Sequence, residues 1–74
     1  MTSLSYAQPG YNYEIKWMLC PSEDDYEEFC LLQSMGFVPG ISVYLLQSFL
    51  GNVIVMLGGR RIMLGDEAAS LIKV

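Results

Sequence analysis

The 74-residue chain has room for one core only, and a domain of this size buries about 60–65% of the surface its unfolded chain exposes. Apolar residues make up 53% of it and charged residues 16%, which excludes a disordered segment and leaves more apolar surface than one small core needs. The formal charge of −4, with Lys16, Arg60, Arg61 and Lys73 against eight acidic residues, excludes the basic footprint of a nucleic-acid binder and the polybasic cluster that holds a protein on an anionic membrane.

The opening MTSLSYAQPG has neither a basic start nor an apolar run, so no secretory signal is expected. From Tyr13 to Cys20 apolar residues alternate, with Ile15, Trp17 and Leu19 on one face and Lys16 on the other, as in a half-buried strand. Pro21 ends that strand. Ser22-Glu23-Asp24-Asp25 then fits a helix start: the Ser22 hydroxyl can accept an orphan amide while the carboxylates sit at the positive end of the dipole. A helix of about 13 residues follows and ends at Met35, with Gly36 suited to the left-handed position after it. Phe29, Leu32 and Met35 fall on one side, and Tyr26, Cys30 and Leu31 widen the apolar stripe beyond one core face.

Phe37-Val38-Pro39-Gly40 reads as a type II turn, because Pro39 presets φ at the second position and Gly40 supplies a positive φ at the third. Ile41 to Phe49, Asn52 to Leu57 and Arg60 to Leu64 are three strands, joined through Gly51-Asn52 and Gly58-Gly59. Asp66 is placed to cap one helical turn through Ala68 and Ala69, and Leu71 to Val74 closes the chain as a last short strand. The expected architecture is a single domain over residues 1–74, mainly β in a small α+β fold. Five strands form a barrel, with one helix between the first and second strands and a helical turn before the last.

In the three central strands Ile41, Val43, Leu45, Val53, Val55, Leu57, Ile62 and Leu64 point inward, and Tyr44, Leu46, Ile54, Met56 and Met63 point outward. Both faces are apolar, whereas a sheet with one wet face alternates apolar and polar. Either the helix or the N-terminal segment with Tyr6, Tyr11 and Tyr13 covers the outside, or the face meets a partner or a second copy of the chain. A helix about 20 Å long cannot hide all of it.

The longest apolar stretch, Ile41 to Leu57, is interrupted by Ser42, Gln47, Ser48, Gly51 and Asn52, so no span of about 20 residues is available to insert directly in a bilayer. Cys20 and Cys30 fit no CxxC or disulfide framework and are expected as reduced thiols in a cytoplasmic protein. Catalytic equipment is missing: there is no histidine, neither cysteine has a cation near it in sequence, and Gly58-Gly59-Arg60 joins two strands where a phosphate loop would open a helix. No metal site and no cofactor are expected, because Glu23, Asp24, Asp25, Glu27 and Glu28 read as helix-start electrostatics and the two cysteines as small hydrophobes.

Leu4 followed by Pro9-Gly10, the block Leu32-Gln33-Ser34-Met35-Gly36-Phe37-Val38-Pro39-Gly40, and the tail Gly59-Arg60-Arg61-Ile62-Met63-Leu64 with Ala69 and Leu71-Ile72-Lys73-Val74 stand in order along nearly the whole chain. Together they resemble the ferrous iron transport protein A (FeoA) family. The resemblance implies an SH3-like barrel with Gly36, Pro39 and Gly40 as structural turn residues. It also implies an accessory role in bacterial ferrous iron uptake, with the cytoplasmic part of the membrane transporter FeoB as partner. Where the family commonly carries arginine before the helix leucine, this chain has Cys30 and Leu31. Related SH3-like domains form part of iron-dependent repressors, but no DNA-binding part precedes the domain in this sequence. The expected function is a non-catalytic adaptor whose contacts are Leu31, Leu32, Tyr44, Leu46, Ile54, Met56 and Met63. The alternative is a metal-responsive sensor or corepressor-like domain binding a divalent transition metal ion through carboxylates.

Overall fold

The computed structural model describes residues 2–20 and 22–74, so the strand-ending role expected of Pro21 lies outside the described residues. A 3-10 turn at Leu4–Tyr6 leads into β1 (Asn12–Glu14) and β2 (Trp17–Met18). A second 3-10 turn, Glu23–Asp25, runs into α1 (Tyr26–Ser34). β3 (Ser42–Phe49), β4 (Asn52–Leu57), β5 (Arg60–Leu64), α2 (Asp66–Ser70) and β6 (Ile72–Lys73) complete the order. The strands form a four-stranded antiparallel sheet, β1-β3-β4-β5, and a two-stranded sheet, β2-β6.

The expected first strand is divided between these sheets. Gly40 N–H donates to the Ile15 carbonyl and Ile15 N–H to the Ile41 carbonyl, each at 2.8 Å, but the very next amide, Lys16 N–H, donates to the Lys73 carbonyl at 2.8 Å. Changing partner between adjacent residues also changes which side chains point inward. Tyr13, Ile15 and Met18 pack into or against the core. Trp17, expected inside with Ile15 and Leu19, is 42% exposed.

The helix is shorter than its apolar stripe suggests. Its first turn tightens to 3-10 geometry, a common ending for α-helices. The Ser22 hydroxyl takes no amide there; it donates to the Asp25 carboxylate at 3.2 Å, an ionised acceptor within its reach. The other end follows its residues closely. Gly36 N–H donates to the Gln33 carbonyl and Phe37 N–H to the Leu32 carbonyl, both at 3.0 Å, while Leu32 and Phe37 meet in the core. This is a Schellman ending. The turn after it closes from Val38 to Ile41, where Ile41 N–H donates to the Val38 carbonyl at 3.2 Å. Gly40 stands at φ +94 in its third position, as a type II turn requires.

Phe49 pairs with Asn52, so the first hairpin turns through Leu50-Gly51 and not Gly51-Asn52. Both turn residues have positive φ, +52 and +84, the type I′ geometry that matches strand twist. The Asn52 side chain is thereby free for another task. Its Oδ1 accepts the Asp66 N–H at 2.9 Å at the start of α2, where Gly65 is the N-cap and Asp66 had been the expected cap. The second hairpin turns at Gly58-Gly59 with Leu57 opposite Arg60. Leu4, Ile15, Leu32, Phe37, Val43, Leu45, Val53, Val55 and Ile72 are almost wholly buried. Ile41, expected among them, is exposed beside the turn, and Ile62 is half-buried against the core.

Candidate functional site

β3 holds the residue that shapes the outer face. Counting alternately from buried Val43 and Leu45 puts Gln47 and Phe49 inside, and burying the Gln47 amide among apolar strands would leave it without partners. The register shifts instead: Leu45 pairs with Val55, Gln47 with Ile54 and Phe49 with Asn52, leaving Leu46 as the extra residue of a bulge. Beyond the bulge, Gln47 and Phe49 are both exposed.

The outer face is consequently built of two cross-strand rows. One runs Asn12, Tyr44, Met56, Arg61 and the next Gln47, Ile54, Met63, with Leu46 at the bulge and Phe49 at the hairpin end. Met63 is 75% and Phe49 71% exposed; Tyr44 and Leu46 are exposed less, and Ile54 and Met56 are half-buried by their neighbours. Gln47, Phe49, Ile54 and Met63 line a shallow groove of about 110 Å³. Neither cover expected for this face lies over it. α1 packs beside its own 3-10 turn and α2, and the N-terminal turn packs on α2 and β4 with Leu4 in the core. The Tyr13 hydroxyl donates to the Gln8 carbonyl at 2.6 Å, and Tyr6 and Tyr11 stay exposed.

The structure does not assemble all the residues expected to act together. Tyr44, Leu46, Ile54, Met56 and Met63 share the sheet face. Leu31 is exposed but stands on α1, apart from them. Leu32 is no contact residue: at 1% exposure it fills the core under α1, because the Schellman ending turns it toward Phe37. Phe49 and Leu50, both exposed at the hairpin tip, were not foreseen. The signal for Phe49 was present in Gln47, a polar residue at a nominally inward position, which marks a change of parity.

Cys20 and Cys30 are free and exposed. The Tyr26 phenol is pushed above its ordinary value, first by its side-chain hydrogen bond with Cys30. A wider groove, about 550 Å³, lies among Ser5, Tyr6, Leu50, Asp66, Glu67 and Ser70 and brings two carboxylates and several hydroxyls together. Among the described residues no three Cys, Asp or Glu side chains converge as a ligand set, and no helix is long and apolar enough to cross a membrane.

No protein with a curated description matches the chain in sequence. Among solved structures, an iron uptake regulatory protein (FeoA) is 27% identical, with 96% of this chain covering 89% of that one at a TM-score of 0.76. Iron(II) transport protein A from Clostridium thermocellum is 32% identical at a TM-score of 0.75, with 97% of this chain covering 43% of that one. A manganese-dependent transcriptional repressor in complex with manganese superposes at a TM-score of 0.80 over 34% of its length, and at 20% identity that likeness concerns the fold alone. With this SH3-like order of strands and helices, and with the FeoA domain family matching residues 2–74, the chain belongs to the FeoA domain family.

Proposed function

We propose that this chain is a non-catalytic, cytoplasmic accessory protein of ferrous iron transport, one domain over residues 1–74, which docks on the cytoplasmic part of the membrane transporter FeoB through the outer face of its four-stranded sheet. Family membership supports the iron-transport role. The observation that carries the docking surface is the uncovered apolar face of Tyr44, Leu46, Phe49, Ile54, Met56 and Met63. An apolar sheet face left open by its own chain suits a partner, and adaptable methionines suit an interface that repacks. Leu32 drops out of the expected contact set and Leu31 stands aside from it, while Phe49 joins.

The test is a pull-down or calorimetric titration with the soluble domain of the transporter. Met63→Glu places a charge at the most exposed face residue and should weaken binding at least tenfold, while melting stays within about 0.5 kcal/mol of the parent, as for other exposed substitutions. Undiminished binding by Met63→Glu and Phe49→Glu together would remove this face from the interface.

A further inference from the structure

β5 is an edge strand, paired with β4 on one side only. Residues flanking a two-residue hairpin turn form a hydrogen-bonded pair, and bonded and non-bonded pairs alternate from there. Leu57 with Arg60, Val55 with Ile62 and Val53 with Leu64 are accordingly the bonded pairs. Arg61 and Met63 aim their N–H and C=O groups away from the sheet. No other described residue takes up these four groups. Natural sheets blunt such an edge with a bulge, a proline, a cover or charged side chains; β5 has a regular register and no proline, and the charges it carries are those of Arg60 and Arg61.

Its two arginines differ in state. Arg60 donates from Nη2 to the Met35 carbonyl at 3.1 Å and so closes the end of α1. Arg61 is exposed on the outer row with Tyr44 and Met56, and among the described residues it has neither an ion pair nor a side-chain hydrogen bond. The Met63 side chain lies beside it along the edge and lines the apolar groove with Phe49 and Ile54.

We propose that β5 takes up an extended segment of the partner as a fifth, antiparallel strand, and that this segment carries an apolar residue followed two positions later by a carboxylate. The inference rests on the docking reading above and specifies its mode. Antiparallel addition makes Arg61 and Met63 each a bonded pair, satisfying all four open groups, whereas parallel bonds are slanted and weaker. Side chains opposite Arg61 and Met63 share their face. The one opposite Met63 meets the groove and is apolar; the one opposite Arg61 meets a free guanidinium and is acidic. β5 runs from Arg61 to Met63, so an antiparallel segment presents its apolar residue first. A second copy fits less well: β5 paired with itself about Ile62 sets Met63 opposite Arg61 and leaves both guanidiniums without a counter-charge.

The probes are capped peptides of alternating valine and serine, with glutamate or lysine two positions after the central valine, titrated into the isotope-labelled full chain and followed by amide shifts and hydrogen exchange. The glutamate peptide should bind at least tenfold tighter than the lysine peptide and slow exchange at the Arg61 and Met63 amides. Arg61→Glu should reverse the preference. Met63→Pro, at a position whose N–H serves no internal ladder bond, should lose binding of both peptides. Equal binding of the two peptides by the parent, or unaltered Arg61 and Met63 amides, overturns the proposal. So does a sedimenting dimer in which those amides are already protected. Transporter binding by the same variants separates the two claims. If Arg61→Glu binds the soluble domain as the parent does while Phe49→Glu does not, strand addition fails and face docking stands. If the parent does not bind that domain, docking on it fails, and the peptide titrations still decide whether the edge accepts such a strand.

Discussion

Leu50 is a side chain in a place where physics disfavours it. Its φ of +52 is the left-handed region, which costs a non-glycine, non-Asn residue about 1–2 kcal/mol, and its exposure of 81% returns no burial. Leu50→Asn would complete an Asn-Gly type I′ turn and should raise the melting temperature by about 4–8 °C for each kcal/mol recovered; an unchanged thermal melt would show that the leucine is not strained. If the tip belongs to the docking surface, the same variant should bind the transporter domain less tightly. Gly40 poses the opposite problem. A Cβ there meets no atom within 4 Å, so only its φ of +94 resists substitution. Gly40→Val should cost about 1–3 kcal/mol and Gly40→Asn distinctly less, read from urea midpoints. Equal midpoints for the two variants would show that the positive φ is not what resists substitution.

Elements in this chain depend on side chains contributed from elsewhere. α2 is five residues long, too short to stand on propensity, and its first amide is held by Asn52 from the start of β4. Asn52→Ala should destabilise the domain by about 0.5–2 kcal/mol, with amide exchange accelerating first in α2, while Asn52→Asp should retain most of the cap. Exchange accelerating evenly over the whole chain would assign Asn52 to global stability. Strand legibility followed the same logic. β4 alternates without interruption, and all three of its inward residues, Val53, Val55 and Leu57, are buried. β3 alternates only as far as Leu45, because the bulge at Leu46 reverses parity. The first strand failed at Lys16, where the backbone changes partner. Local pattern predicts facing only while one partner strand continues.

The whole molecule rests on one core at the lower limit of size. Phe37, the largest wholly buried side chain, is joined there by Leu4 from the N-terminus, Leu32 from α1 and Ile72 from β6, so elements far apart in sequence share one interior. Phe37→Ala should cost about 3–5 kcal/mol, comparable to what a core of this size supplies. Near-ultraviolet circular dichroism should therefore show the variant largely unfolded at 37 °C, with urea midpoints checking the loss. A cooperative melt near that of the parent would show that the cavity collapses.

The sequence by itself determined the order of elements from the helix onward, the helix ending at Gly36, the Pro39-Gly40 turn, the Gly58-Gly59 hairpin and the excess of outward apolar residues. Each of these is settled within a few residues, by φ preferences, hydrogen-bond capping and side-chain alternation. Tertiary structure alone decided that Leu32 belongs to the core, that Phe49 joins the outer face, that Asn52 caps α2 and that the edge of β5 is open. Those outcomes depend on which distant strand or helix supplies a partner or a cover, and composition and periodicity along one chain carry no term for that.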